Sequence, residues 1–319
     1  MIRIDVGPAD VAASRFAVTP SFELAVLVRT LFAAAPASAL ARRFATGFAR
    51  VRDDPAVRTL AYLNGPQVGA SFSVPPPAGM GQTIEDDLAV LRSVPAEVVA
   101  RELDDIRALR RPSPEIAAVL RDARFTHLLA DGMARAWDAL LAPNWARVRA
   151  VLERDVRFRA ERLSEVGWSG ALVGMHPDIA WTGDAITIER RTAATEALRG
   201  RGLLLVPSVF IGSGLAATAE APWQPTIVYP CRGAGLVFED AGVPTDPLAP
   251  LLGRTRAGLL LALAVPSSTT QLAALTGAST GATGDHLKVL LDAGLVVRSR
   301  LARSVVYGRT PLGDALAGS

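Results

Sequence analysis

The sequence predicts an α+β fold in two domains, on three observations. Apolar residues recur at helical spacing up to about residue 166. Beyond Gly167 the pattern changes to short alternating runs broken by glycine and proline. From Asp246 helical spacing returns, and the chain then closes on two β-branched runs. A helical half followed by a strand-rich half implies α+β. At 319 residues the chain is long enough for two cores. The expected division is 1–245, a large mixed helical and antiparallel-strand domain, and 246–319, a small second domain.

Taken in order, SFELAVLVRTLFAA from Ser21 is apolar enough to be a buried helix, and Leu40–Val51 continues in that style. Pro75, Pro76 and Pro77 form a rigid loop. Ile84–Leu109 and Pro114–Ala130 each show helical periodicity. Glu85, Asp86 and Asp87 fall in a first turn, where the helix dipole favours them. Asn144 is the expected cap of a long helix to about Val166, with Trp145, Val148, Leu152, Val156, Leu163 and Val166 on its apolar face. Its Glu153–Arg157, Asp155–Arg159 and Arg157–Glu161 spacings suit intrahelical ion pairs on a solvated face.

After Gly167, Asp178–Trp181 and Ala185–Glu189 alternate across Gly183-Asp184 and predict a hairpin. Gly202–Phe210 reads as a buried strand in which Pro207 argues for an edge or a bulge. Thr226–Tyr229 and Leu236–Glu239, flanking CRGAG, predict a second hairpin.

Half of the residues are hydrophobic and a fifth charged, as in an ordinary packed protein. The single cysteine, Cys231, excludes an intramolecular disulfide and fits a reducing compartment. It is expected to be a buried small residue, since a redox sensor needs an exposed, electropositive setting. The start MIRIDVGPAD lacks the basic and apolar runs of a signal peptide. No apolar stretch reaches the roughly 18 residues that span a bilayer. A cytoplasmic chain with no membrane partner is the expectation. His127, His176 and His286 have no acid or cysteine nearby at metal spacing. No Gly-x-Ser-x-Gly occurs, and Gly200-Arg201-Gly202 lacks the lysine and hydroxyl of a phosphate loop. No metal, no cofactor and no catalysis are therefore expected. Trp137, Trp145, Trp168, Trp181 and Trp223 read as core, with an apolar pocket between helices and sheet as the functional alternative.

Charge separates the two domains. Of 34 basic and 31 acidic residues, seven and four lie in Asp246–Ser319, so the first 245 residues balance at 27 each and the second domain carries the whole net charge of +3. Arg298, Arg300, Arg303 and Arg309 follow one another with no intervening acid, a stripe that attracts phosphate. Pro244, Pro247 and Pro250 mark a linker. Leu251–Ala264 reads as a helix, and Thr269 or Thr270 as the cap of a second, TQLAAL. Gly277 supplies the tight turn, and Ser279 is the expected cap of a third helix that Gly294 closes. Leu287, Leu290 and Leu291 face its core. Leu295–Arg300 and Ser304–Arg309 form a hairpin with a basic tip. Three helices and such a hairpin make a winged helix-turn-helix. A helix of this kind fits the DNA major groove while the hairpin follows the backbone.

HLKVLLDAGLVVRSR followed by VVYGRT resembles the ArsR/SmtB-type regulators, and LLGRTRAGLLLAL resembles the helix that opens that family's domain. The resemblance covers about 65 residues, a fifth of the chain. It implies a one-component regulator, a repressor, that binds double-stranded operator DNA as a homodimer. It puts Thr280, Thr283 and Asp285 at the DNA-facing start of the third helix, with His286 and Lys288 further along. Arg298, Arg300 and Arg303 would lie in the wing. For His286 a structural hydrogen bond is as good a reading as a phosphate contact. The family's paired cysteines are missing from TQLAALTG, and LGDALAGS lacks its C-terminal metal ligands, so the resemblance does not extend to metal sensing. Gly281 and Gly284 replace residues that are often serine and weaken the helix by about 1 kcal/mol each. The short C-terminus leaves dimerisation to the first domain. DVRFRAERL, GRGLLLVPSVF and QPTIVYPCRGAG resemble a large domain attached to some ArsR-type regulators, which is the expected home of dimer contacts and of a small apolar effector. Two other classes stay open: an enzyme with an appended winged helix, and a partner-protein module that binds no DNA.

Overall fold

A computed structural model describes the chain apart from residues 36–38, 67, 190–193, 236–247, 302–303 and 318–319. It divides into two compact units. One is Met1–Asn144 with Arg162–Cys231, and the other is Trp145–Glu161 with Arg232–Ser319. The expected boundary at 245/246 lies outside the described residues.

The first unit opens with β1 (Ile2–Asp5), α1 (Pro8–Ala13) and β2 (Arg15–Phe16). The helices α2 (Pro20–Ala33), α3 (Ala39–Val51), α4 (Pro55–Leu63), α5 (Ile84–Ser93), α6 (Ala96–Leu109), α7 (Pro114–Arg121) and α8 (Phe125–Ala136) follow. Helix α9 (Trp145–Val166) starts in the other unit and ends in this one. After α10 (Trp168–Leu172) come β3 (Ile179–Trp181), β4 (Ala185–Ile188), β5 (Ala194–Ala197), β6 (Leu204–Ser208), β7 (Ala216–Thr218) and β8 (Thr226–Pro230).

Among the described residues this unit has two four-stranded sheets, ordered β3-β4-β1-β5 and β2-β6-β8-β7. The expected antiparallel strands are corrected to mixed sheets: β1 runs parallel to β5, and β6 runs parallel to both β2 and β8. The physical reason is connectivity. The first sixteen residues supply β1 and β2, and the helical run that follows is a crossover long enough to return the chain parallel to them in β5 and β6, while residues 209–225, which carry β7, form the crossover between β6 and β8. The β3–β4 hairpin forms as expected, turning through Gly183 at φ 99°. Strand β8 pairs with β6 and β7, and the second strand of the other expected hairpin, at 236–239, lies outside the described residues.

Pro207 is tolerated in β6 for a specific reason. The Leu205 carbonyl accepts from the Ala17 N–H, so by alternation residue 207 points its nitrogen to the same side, past the end of β2. Side-chain alternation gives β6 and β8 two apolar faces. Leu205, Ile227 and Tyr229 share a core with Ile4, Ile186 and Ile188 of the other sheet. Leu204, Val206 and Val228 face the helical side, where Phe22 of α2 packs. Full burial of each such side chain stabilises by about 1.5–3 kcal/mol. Helix α2 is buried nearly all round, from Leu24 to Val28.

Several expected helices are shorter than their periodicity. Ile84–Leu109 breaks at Val94-Pro95 into α5 and α6, because proline disfavours the α conformation in the residue before it. Pro114–Ala130 breaks at Asp122, whose carboxylate accepts from the Arg124 amide. Asn144 precedes α9 without capping it, its amide donating instead to the Leu140 carbonyl.

Candidate nucleic-acid interface

The second unit contains the start of α9, then α11 (Ala249–Leu252), α12 (Arg254–Ala262), α13 (Thr269–Thr276), α14 (Thr280–Asp292), β9 (Val296–Leu301), β10 (Ser304–Arg309) and α15 (Pro311–Ala317). The expected single opening helix is two, divided at Gly253. Leu259, Leu260, Leu263, Leu272, Leu287, Leu290 and Val296 form the core of the unit. Ser268, rather than Thr269 or Thr270, caps α13. Its hydroxyl accepts from the Gln271 amide at 3.3 Å while the Gln271 side chain accepts from the Ser268 amide at 2.9 Å. Gly277 turns the chain at φ 71°, in the left-handed region that favours glycine. Ser279 caps α14 by accepting from the Ala282 amide at 3.2 Å. The β9–β10 hairpin is antiparallel, with Arg298 opposite Tyr307 and Arg300 opposite Val305. Ser267 bridges to Tyr307 and extends the small sheet.

Helical period sorts the residues of α14. Gly281, Asp285, Lys288 and Asp292 recur at four- and three-residue steps and form an exposed stripe. Thr280 is exposed beside it, and His286 is half-buried at its margin. Thr283 is corrected. It is fully buried, and its hydroxyl donates to the Ser279 carbonyl at 2.9 Å, so it faces the core and not a groove. Its position four residues before Leu287 already places it on the core face. Arg298 and Arg300 are exposed on one face of β9. Arg303 lies outside the described residues. Arg309 leaves the positive stripe: its Nε and Nη2 donate to the Leu260 and Leu261 carbonyls at 2.7 and 2.8 Å, near the end of α12.

The expected solvated face of α9 is overturned. Asp155 and Arg159 are buried and joined at 3.1 Å. The Asp155 carboxylate also accepts from the Arg232 amide at 3.0 Å. Arg157 donates to the Pro266 carbonyl and, at 2.8 Å, to the side chain of Gln271. The Gln271 amide in turn donates to Glu153 at 3.0 Å. Ion-pair spacing on a helix is the same whether the face meets water or protein, so the sequence carried no signal for this docking.

The first unit holds a cavity of about 800 Å³. Phe22, Val26, Ile211, Leu215 and Val228 give it apolar walls, while Arg29 and Glu102 bring charge to it. Of the five tryptophans only Trp223 lines it, with its indole donating to Glu102 at 2.6 Å. Trp168 and Trp181 stack on each other instead, beside the core between the sheets. Cys231 is buried. Among the described residues no three histidines, cysteines or acids group as a metal site, and no helix is long and apolar enough to cross a membrane.

Helix-turn-helix, sheet and hairpin together define a winged helix-turn-helix, the class of the C-terminal segment. Residues 254–297 match the family described as bacterial regulatory protein, arsR family, and residues 116–235 match a family of unknown function, DUF5937. The chain carries an ArsR-family helix-turn-helix behind a DUF5937 region that runs from α7 to just past β8, which supports a DNA-binding transcriptional regulator. No curated protein and no solved structure matches it.

Proposed function

We propose that this protein is a one-component repressor that binds operator DNA as a homodimer in the cytoplasm and is released by a small effector. The observation that carries the reading is the exposed stripe Gly281–Asp285–Lys288 of α14 beside the exposed Arg298 and Arg300 of β9. A helix with small and polar residues outward can enter a major groove. Two arginines on the neighbouring strand can hold the flanking phosphates. In a dimer the two α14 helices must stand about 34 Å apart to reach successive grooves. A small change in how the subunits pair would then release the operator without touching the reading residues.

The cavity of the first unit is the proposed effector site, and its walls suit a molecule with an apolar body. The ArsR-family domain favours regulation over catalysis. The DNA reading is tested by fluorescence anisotropy on duplex DNA at several salt concentrations, comparing the wild type with the double variant R298A/R300A. Each lost phosphate contact should lower the slope of log K against log salt by about 0.9. An unchanged slope would remove the hairpin from the interface.

A further inference from the structure

We propose that the cavity of the first unit binds an amphipathic carboxylate, its apolar body along Phe22 and Val26 and its acid group on Arg29, an inference that rests on reading this cavity as the effector site. Thr19, Phe22, Val26 and Arg29 all line it. They follow one another at steps of three, four and three residues, so one face of α2 borders the cavity from its N-cap almost to its C-terminal end. Seven residues of helix put Arg29 about 10 Å along the axis from Phe22. The second sheet makes the Phe22 end apolar. There Phe22, Ile211 and Ala216 pack against Leu204, Val206 and Val228.

Arg29, at the other end, is a half-buried cation that pairs with no carboxylate among the described residues. Its Nη1 donates to the Asn64 and Gly65 carbonyls, both at 3.4 Å. Its Nε and Nη2 make no hydrogen bond among the described residues. Arg110 holds the same turn, its Nη2 donating to the Leu63 carbonyl at 3.2 Å and the Val68 carbonyl at 2.9 Å. It too pairs with no acid among the described residues. Residues 36–38 and 67, the undescribed positions nearest in sequence to Arg29 and the turn, include no acid.

The acids that line the cavity are placed elsewhere. Glu102 accepts from the Trp223 indole at 2.6 Å and from the Phe72 amide at 3.0 Å. Asp178 stands 3.7 Å from the His176 ring, and Asp105 and Glu220 are exposed. Burial first, and then the like charge of Arg110, lower the Arg29 pKa. An anion joining the guanidinium relieves both.

A carboxylate fits this corner. The Nε–Nη2 edge of a guanidinium presents two parallel N–H donors that match the two oxygens of one carboxylate. The apolar wall two turns of helix away favours a hydrocarbon or aryl body over a ligand that is polar throughout.

The test is isothermal titration calorimetry of the full chain with octanoate, decanoate and dodecanoate, each against the alcohol of equal length. The wild type should bind the best acid about tenfold more tightly than its alcohol. R29M should lose that preference and keep its affinity for the alcohol, which also shows that the cavity is intact. R29K, which keeps the charge but not the paired donors, should retain a reduced preference. Equal binding of acid and alcohol by the wild type would overturn the inference and leave the cavity as a site for neutral apolar effectors. A preference that survives unchanged in both variants would place the acid group away from Arg29 and overturn it as well. Binding of neither series would refute the effector reading of the cavity itself, and this inference with it.

Discussion

Arg157 of α9 donates to the same Gln271 oxygen, at 2.8 Å, that accepts the Ser268 amide at 2.9 Å. One side chain therefore closes the cap of the first helix of the helix-turn-helix and anchors a helix more than a hundred residues earlier in the chain. Energies in such a shared contact do not add. Gln271→Ala and Arg157→Ala should each destabilise the protein by about 1–2 kcal/mol. Their double-mutant cycle in urea should show a coupling of about 0.5 kcal/mol or more. Strict additivity would mean that the cap and the anchor work independently.

The ion pair Asp155–Arg159 is buried on both sides. Removing one partner leaves the other charge without compensation. Asp155→Ala should therefore cost about 3–5 kcal/mol in chemical denaturation. The double variant D155L/R159M, which removes both charges and keeps the volume, should recover much of that loss. If it were as unstable as D155A, packing rather than charge would hold this segment.

How far the sequence can be read depends on how local each signal is. Ser279, Gly277 and Gly294 act within one turn of the chain, and they mark the C-terminal module correctly. Thr283 was misplaced although the period of α14 contained the answer. The strands β1 and β2 were missed because four and two residues carry no pattern of their own, and their partners lie about 180 residues away. The docking of Arg157 was missed for a similar reason: its acceptors, Pro266 and Gln271, are distant in sequence. The cavity is a meeting of α2, α6 and the second sheet, which no single segment announces.

Glu23 should make stability depend on pH. It is wholly buried, and both its oxygens accept from the Val209 amide, at 3.1 and 3.2 Å. Burial outweighs those hydrogen bonds and raises its pKa to about 7, from 4.5. The folded state then holds this proton more tightly than the unfolded chain. The resulting stability is complete below pH 4.5, is lost as the pH rises towards 7, and is constant above that. Its size is on the order of 3 kcal/mol. Asp87, raised to about 6 by burial, acts in the same direction. Denaturation midpoints of Glu23→Gln should fall less between pH 5 and 7 than those of the wild type. Parallel profiles would show that Glu23 does not titrate in this range.

Gly281 and Gly284 lie inside α14 with room for a methyl group. A Cβ at Gly281 would meet nothing within 4 Å, and one at Gly284 would only reach Thr269 Cγ2 at 4.0 Å. Each change to alanine should stabilise by up to about 1 kcal/mol. The melting temperature of G281A/G284A checks this, and a fall would point to strain that the open space does not suggest.

The central claim is that α14 and its hairpin read DNA. The most direct measurement is fluorescence anisotropy of the full-length protein on the DNA upstream of its own gene, against a scrambled duplex, from low to moderate salt. Tight, salt-sensitive binding to the upstream duplex, with the scrambled one at least a hundredfold weaker at about 150 mM salt, is the predicted result. No binding to either duplex at low salt would contradict the claim and leave the winged helix as a surface for a protein partner.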